Sequence, residues 1–265
     1  MTTTTPPNRV VIAGDWHGNS KWACHVVGMA ARLLQGEDRP LILHLGDFGI
    51  WPGEGGRAYL GAVRRACVQH GVEVRFVDGN HEDFTQLEGL RISGEAIRGP
   101  ATPADETVRW LPRGSRWRWH GRTWLALGGG VSLDRALRRE GLTWWPEEEV
   151  TEEEAARVIK AGPADVMITH DCPSGVRHSF PPPPPFWDAR DLARNDAHRD
   201  RLQKVVQAVR PRWLVHGHLH RAYRRTSNLG YGPVEVTGLD CDVGDGPNYA
   251  VLDVQHMQWP TVETV

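Results

Sequence analysis

In Arg9-Val10-Val11-Ile12-Ala13-Gly14-Asp15-Trp16-His17 an apolar run stops at a Gly-Asp pair, and a helical pattern from about Lys21 to Leu34 follows directly. The order reads as strand, loop, helix. The unit recurs. Leu41 to Leu45 runs into Gly46-Asp47 ahead of a helix at about Arg57 to His70, and Val72 to Val77 leads into Gly79-Asn80-His81. Repeated strand–helix units predict a sheet with covering helices, and the loops that follow strands are where such folds gather functional groups.

Further along the chain the pattern changes. Arg116 to Trp119, a His120-Gly121 turn and Thr123 to Leu127 read as a hairpin, so two sheets are expected. Glu147 to Ala161 reads as an acidic-started helix, and Val166 to Thr169 as a strand that ends in His170. Pro181 to Pro185 must be extended loop, because proline lacks the amide donor that helices and central strands need. A helix from about Asp200 to Val209 stops before Pro211. Trp213 to Val215 is then a strand running into His216-Gly217-His218-Leu219-His220, and Val234 to Leu239 and Tyr249 to Val254 are two more strands.

The 265 residues suit one large α/β domain, with the Thr- and Pro-rich residues 1–8 expected to be disordered. With 31 Lys plus Arg against 33 Asp plus Glu, the net charge of -2 supplies no global field for long nucleic acid or an anionic membrane. No segment approaches the roughly 18 apolar residues of a membrane span. Cys24, Cys67, Cys172 and Cys241 form no Cys-x-x-Cys pair, which indicates neither a zinc knuckle nor a disulfide framework. A reducing, cytoplasmic setting is the expectation.

Five strand ends finish in metal-ligand residue types: Asp15 with His17, Asp47, Asn80 with His81, His170, and His218 with His220. Mixed carboxylate, imidazole and amide donors suit Mn, Fe, Zn, Ni or Co, whereas an all-oxygen set would suit Mg or Ca. In order, Asp-x-His, Gly-Asp, Gly-Asn-His-Glu, a strand-end His and Gly-His-x-His resemble the five signature blocks of the calcineurin-like metallophosphoesterases.

This resemblance implies an α/β fold, a four-layer αββα sandwich of two mixed sheets flanked by helices, and two divalent metal ions per chain. It implies that Asp15, His17, Asp47 and His220 bind one ion, that Asp47, Asn80, His170 and His218 bind the other, and that Asp47 bridges. Ions about 3.5 to 4 Å apart would clamp one phosphoryl group and activate a shared water as the nucleophile. It also makes His81 a candidate to protonate the leaving oxygen. The expected activity is hydrolysis of a phosphate monoester or diester, on a small molecule or nucleotide. The alternatives are a nuclease on single strands and a non-catalytic binding scaffold.

Residues around these blocks carry further readings. His216 falls outside the ligand pattern and is expected to support or pack. Glu82 and Asp83 are expected to orient the loop or start a helix, and Trp16 to pack. Gly128 to Trp145 looks like a loop of some bacterial and phage metallophosphoesterases, in which Arg135 and Arg138 would grip substrate phosphate; a solvated Arg-rich segment is the competing reading. Arg113, Arg116, Arg118 and Arg122 interleave with Trp110, Trp117, Trp119 and Trp124. That pattern fits a stacking platform for single strands, and better fits a hairpin with one face inward. Finally, protein Ser/Thr phosphatases of the superfamily carry Asp-Arg-Gly after the second block, whereas this chain has Asp47-Phe48-Gly49, so that subfamily's phosphate-binding Arg is missing.

Overall fold

The computed structural model describes residues 5–93, 107–178, 184 and 187–259. Strands β1 (Arg9–Ala13), β2 (Leu41–His44), β3 (Glu73–Phe76) and β4 (Val108–Trp110) run parallel in the first sheet. Strand β11 (Tyr249–Asp253) closes that sheet antiparallel to β1, giving the order β11-β1-β2-β3-β4. The second sheet has the order β5-β6-β7-β8-β10-β9, from β5 (Arg116–Trp119), β6 (Arg122–Leu127), β7 (Val166–Thr169), β8 (Trp213–His216), β9 (Tyr223–Asn228) and β10 (Pro233–Gly238). Its centre is parallel and its two outer pairs are antiparallel, so both sheets are mixed.

Side chains that alternate along each strand build three cores from two sheets. Val11, Ala13, Ile42, Val74 and Phe76 face helices α1 (Ser20–Leu33), α2 (Gly53–His70) and α3 (Phe84–Ser93). Val10, Ile12, Leu41 and Leu43 face the other way and meet Trp124, Ala126, Val166, Ile168 and Val215 of the second sheet. Leu125, Leu127, Met167 and Leu214 face helices α4 (Glu152–Lys160) and α5 (Ala189–Val209). The result is the expected helix–sheet–sheet–helix stack.

The hairpin is confirmed, with Trp117 opposite Trp124. Trp117, Trp119 and Trp124 contact one another at centroid distances of 5.2–5.8 Å on the inter-sheet side, so these tryptophans pack and do not form an open platform.

Several boundaries differ from the sequence reading. The helix expected from Glu147 breaks into a 3-10 turn at Pro146–Glu148 and α4, which starts only after Thr151 closes a capping box with Glu154. The reason is Arg113. Its guanidinium donates to the carbonyls of Glu147, Glu148 and Glu149, and the Gly130 amide to Glu148 as well, so these groups are turned to partners outside a helix. Helix α5 starts at Ala189, far ahead of Asp200, because the Asp188 side chain caps it. Helix α2 likewise begins earlier, at Gly53. Strand β9 alternates half-buried and exposed positions at a sheet edge and carries no strong apolar signal, so it goes unread in the sequence.

The extended loop expected at Pro181 to Pro185 lies, apart from Pro184, outside the described residues. Within residues 1–8, Asn8 donates its amide to Glu37 at 2.9 Å, and the His120 ring meets the Pro7 carbonyl at 2.9 Å. Among the described residues no helix is long and apolar enough to cross a membrane, and none of the four cysteines is in a disulfide.

Candidate metal centre

The C-terminal ends of β1, β2 and β3 in one sheet, and of β7 and β8 in the other, deliver every sequence-predicted ligand to one place. Asp15, His17 and His220 form one group, and Asp47, His170 and His218 another, each with ligand atoms within 4.8 Å of one another. Asp47 turns an oxygen to each side: Oδ2 lies 3.4 Å from His17 Nε2, and Oδ1 lies 3.4 Å from His170 Nε2. The Asn80 side-chain oxygen joins the second group, 3.0 Å from His170 Nε2.

Sharp turns make this convergence possible. His17, Asp47, His218 and His220 all have positive φ, between 44° and 63°, a region that non-glycine residues rarely occupy. Such strain persists only where the surroundings impose it, and here it sits at the candidate ligands. Gly79 and Gly217 serve a different purpose, because a Cβ on either would overlap the carboxylate of Asp47 or Asp15.

The ligand atoms are aimed by partners of their own. His170 donates Nδ1–H to the Leu45 carbonyl at 2.8 Å, which leaves the Nε2 lone pair facing Asp47 and Asn80. His17 donates Nδ1–H to Asp242 at 3.0 Å, leaving its Nε2 toward Asp47. The Asn80 amide nitrogen is taken by the Ser132 hydroxyl at 3.0 Å, which itself donates to Glu148 at 2.6 Å, so the amide oxygen points inward. A metal-ligating imidazole characteristically gives its second nitrogen to a carboxylate or carbonyl in this way.

Asp15 and Asp47 are buried, and among the described residues their ion pairs are all with imidazoles. Burial works against charge on both. Even so, the His220 hydrogen bond and the neighbouring His170 ring hold Asp15 below the ordinary carboxylate range, and the His170 and His81 rings beside Asp47 hold it well below. His17 is driven up to about 10, against burial, by Asp47 and Asp15. His218 is brought down to about 4 by burial, so its ring is neutral and has a free lone pair. Two buried carboxylates, four imidazoles and an amide oxygen, with no Lys or Arg among the described residues closing the ion pairs, fit divalent cations.

His81 stands at the rim. Its backbone amide donates to Asp47 Oδ1 at 2.9 Å, and its ring Nε2 lies 3.9 Å from Asp47 Oδ2. Arg138 Nη2 donates to His81 Nδ1 at 2.6 Å while the same guanidinium pairs with Asp134. The same Nη2 lies 3.3 Å from Nε2; arginine can only donate, and the shorter contact makes Nδ1 the acceptor and leaves the ring proton to Nε2. Burial and the Arg138 charge keep this ring below its usual pKa despite Asp47. Arg135 instead stacks on Trp144 at 4.6 Å and reaches Asp191 at 3.5 Å.

The remaining expectations resolve by packing. Glu82 accepts the amides of Phe48, Gly49 and Ile50, which fixes the loop after Asp47, and Asp83 caps the start of α3 through Gln86. Trp16 is fully buried against His44 and Phe48. His216 lies outside both ligand groups. Asp242, Glu148 and Arg113 are parts of the site's support that sequence reasoning does not find, since none sits at a strand end or in a recognisable spacing.

A family model described as calcineurin-like phosphoesterase matches residues 8–222. No curated protein matches the chain. Among solved structures, that of TT1561 from Thermus thermophilus is similar at 14% identity, covering 97% of each chain with a TM-score of 0.55, a likeness of fold.

Proposed function

This chain belongs to the calcineurin-like phosphoesterase family, and from that premise we propose that it is a dinuclear hydrolase of small phosphate esters, with Asp47 bridging two divalent ions. The observation that carries the reading is the division of the Asp47 carboxylate between the two ligand groups, 3.4 Å from an imidazole on each side. Asp15, His17 and His220 would hold one ion, and Asn80, His170 and His218 the other. Bound divalent ions, of Mn, Fe, Zn, Ni or Co, supply Lewis-acid activation of a water and of the phosphoryl oxygens.

The chain's own groups do the rest. Asp242 and the Leu45 carbonyl hold His17 and His170 with Nε2 inward, and Ser132 holds the Asn80 oxygen inward. His81, neutral and carrying its proton on Nε2, presents that proton to the departing ester oxygen. Arg138 keeps the proton there and adds positive charge where negative charge builds, while Arg135 supplies a guanidinium farther out, toward Asp191. No Arg follows Asp47; Phe48 occupies that position and is buried, stacked on Phe76 at 4.5 Å, which favours a small-molecule ester over a phosphoprotein.

Metal content and turnover test this together. Reconstituted protein should retain about two ions per chain and hydrolyse p-nitrophenyl phosphate or its bis-ester only with metal present. Asp47→Asn should lower affinity at both sites and abolish turnover. A chain that takes up no metal would be a binding scaffold, and the proposal would fall.

A further inference from the structure

Behind the metal centre lies a second cluster of donors. Cys172 follows β7 two residues after His170, and His216 ends β8 two residues before His218. His178 comes from the loop after Cys172, and Tyr223 opens β9. The ligand atoms of Cys172, His178 and His216 lie within 4.8 Å of one another. Cys172 Sγ is 3.6 Å from His178 Nε2 and 3.8 Å from the Tyr223 hydroxyl, which lies 3.2 Å from His178 Nε2. His216 Nε2 meets the same hydroxyl.

The 3.2–3.8 Å separations among Cys172, His178 and Tyr223 suit donors that share a tetrahedral ion, and the His216–Tyr223 contact is closer than such an edge. Zinc–nitrogen bonds of about 2.0–2.1 Å and a zinc–sulfur bond of about 2.3 Å place light donors roughly 3.3 Å apart, and sulfur roughly 3.6 Å from each. His216 is also turned correctly, since its Nδ1–H is spent on the Gly217 carbonyl at 2.9 Å and Nε2 faces the cluster. A cavity of about 560 Å³, lined by His178, Tyr223 and Arg225 among others, opens beside it and provides a path from solvent. Arg225 Nη2 comes within 3.5 Å of His178 Nε2 but is engaged by the Arg177 carbonyl.

We propose that Cys172, His178 and His216, with the Tyr223 oxygen at the fourth corner, form a separate zinc site distinct from the phosphoesterase centre. One thiolate with two imidazoles is a softer donor set than the sulfur-free mix of imidazole, carboxylate and amide around Asp47. On binding, the Cys172 proton leaves to solvent and its sulfur lone pair goes to the ion. The ion fastens β7, β8 and β9 together directly behind His170 and His218.

Cobalt distinguishes this site from the other two. The ligands around Asp47 are nitrogen and oxygen, so an intense near-ultraviolet thiolate-to-cobalt band reports only the new site. Titrating chelator-stripped full-length protein with Co²⁺ should raise that band with one equivalent per chain. Cys172→Ser should remove the band and one bound ion, leaving the remaining metal uptake in place. His178→Ala, at a half-buried loop position, should weaken binding of that ion at least tenfold in a folded protein and is decisive if Cys172→Ser does not fold. Absence of the band in folded wild type, or its survival in Cys172→Ser, would overturn the proposal. Failure of the phosphoesterase reading would instead show as loss of the other ions with the thiolate band intact.

Discussion

Asn80 and His81 are adjacent, yet the chain gives them different tasks. The Asn80 oxygen faces His170 among the candidate ligands, whereas the His81 ring is held at the rim by Arg138, with Nε2 3.9 Å from Asp47. A ring held in this tautomer can give up a proton as charge builds on the leaving oxygen. His81→Ala should therefore keep its metal content and lose roughly 100-fold in kcat on alkyl esters, the usual share of general-acid catalysis. The loss should be much smaller on p-nitrophenyl esters, whose leaving group is stable as an anion. Equal losses on the two ester types would leave His81 only a charge-stabilising part, and loss of metal would make it a ligand.

At the scale of elements, Arg113 joins the end of β3 to the segment that leads into α4. All five of its N–H donors are used, on Asp78, Glu154 and the carbonyls of Glu147, Glu148 and Glu149. Truncation would strand the buried Asp78 carboxylate, so Arg113→Ala should cost about 3–5 kcal/mol, and Arg113→Lys should recover only part of it in urea unfolding. An unchanged midpoint in Arg113→Ala would show that the ion pair contributes nothing net. Glu148, in the segment that Arg113 holds, is buried and accepts from Ser132 through both oxygens; burial lifts its pKa to about 7. For an acid the sign is clear: a raised folded-state pKa contributes stability fully present below the unfolded value of about 4.5 and lost as pH rises through about 7. Relative to Glu148→Gln, wild type should thus lose on the order of 3 kcal/mol between about pH 4.5 and about pH 8. A difference between the two proteins that does not change with pH would refute this.

For the whole molecule, the candidate ligands come from both sheets, so cations bound among them would join the two halves of the sandwich. Without them, two buried carboxylates rely on imidazoles alone. Loading at about 100 times Kd should stabilise the fold by about 2.7 kcal/mol per ion, or roughly 5–10 °C in Tm for each in a chain this long, and chelation should reverse it. A Tm indifferent to chelation would mean that the centre does not hold cations when folded. The sequence by itself determined the strand–loop–helix units, the two-sheet plan and the identity of each candidate ligand, because alternation, turn residues and donor types at strand ends are local properties. It also separated His216 from the ligand pattern. Only the tertiary structure decided which groups aim those ligands: Asp242 meets His17 across 225 residues of chain, and no spacing rule spans that distance. The late start of α4 and the Cys172, His178, His216 and Tyr223 cluster are of the same kind. Each depends on side chains that become neighbours only when separate elements pack, so their energies are absent from any stretch of sequence taken alone.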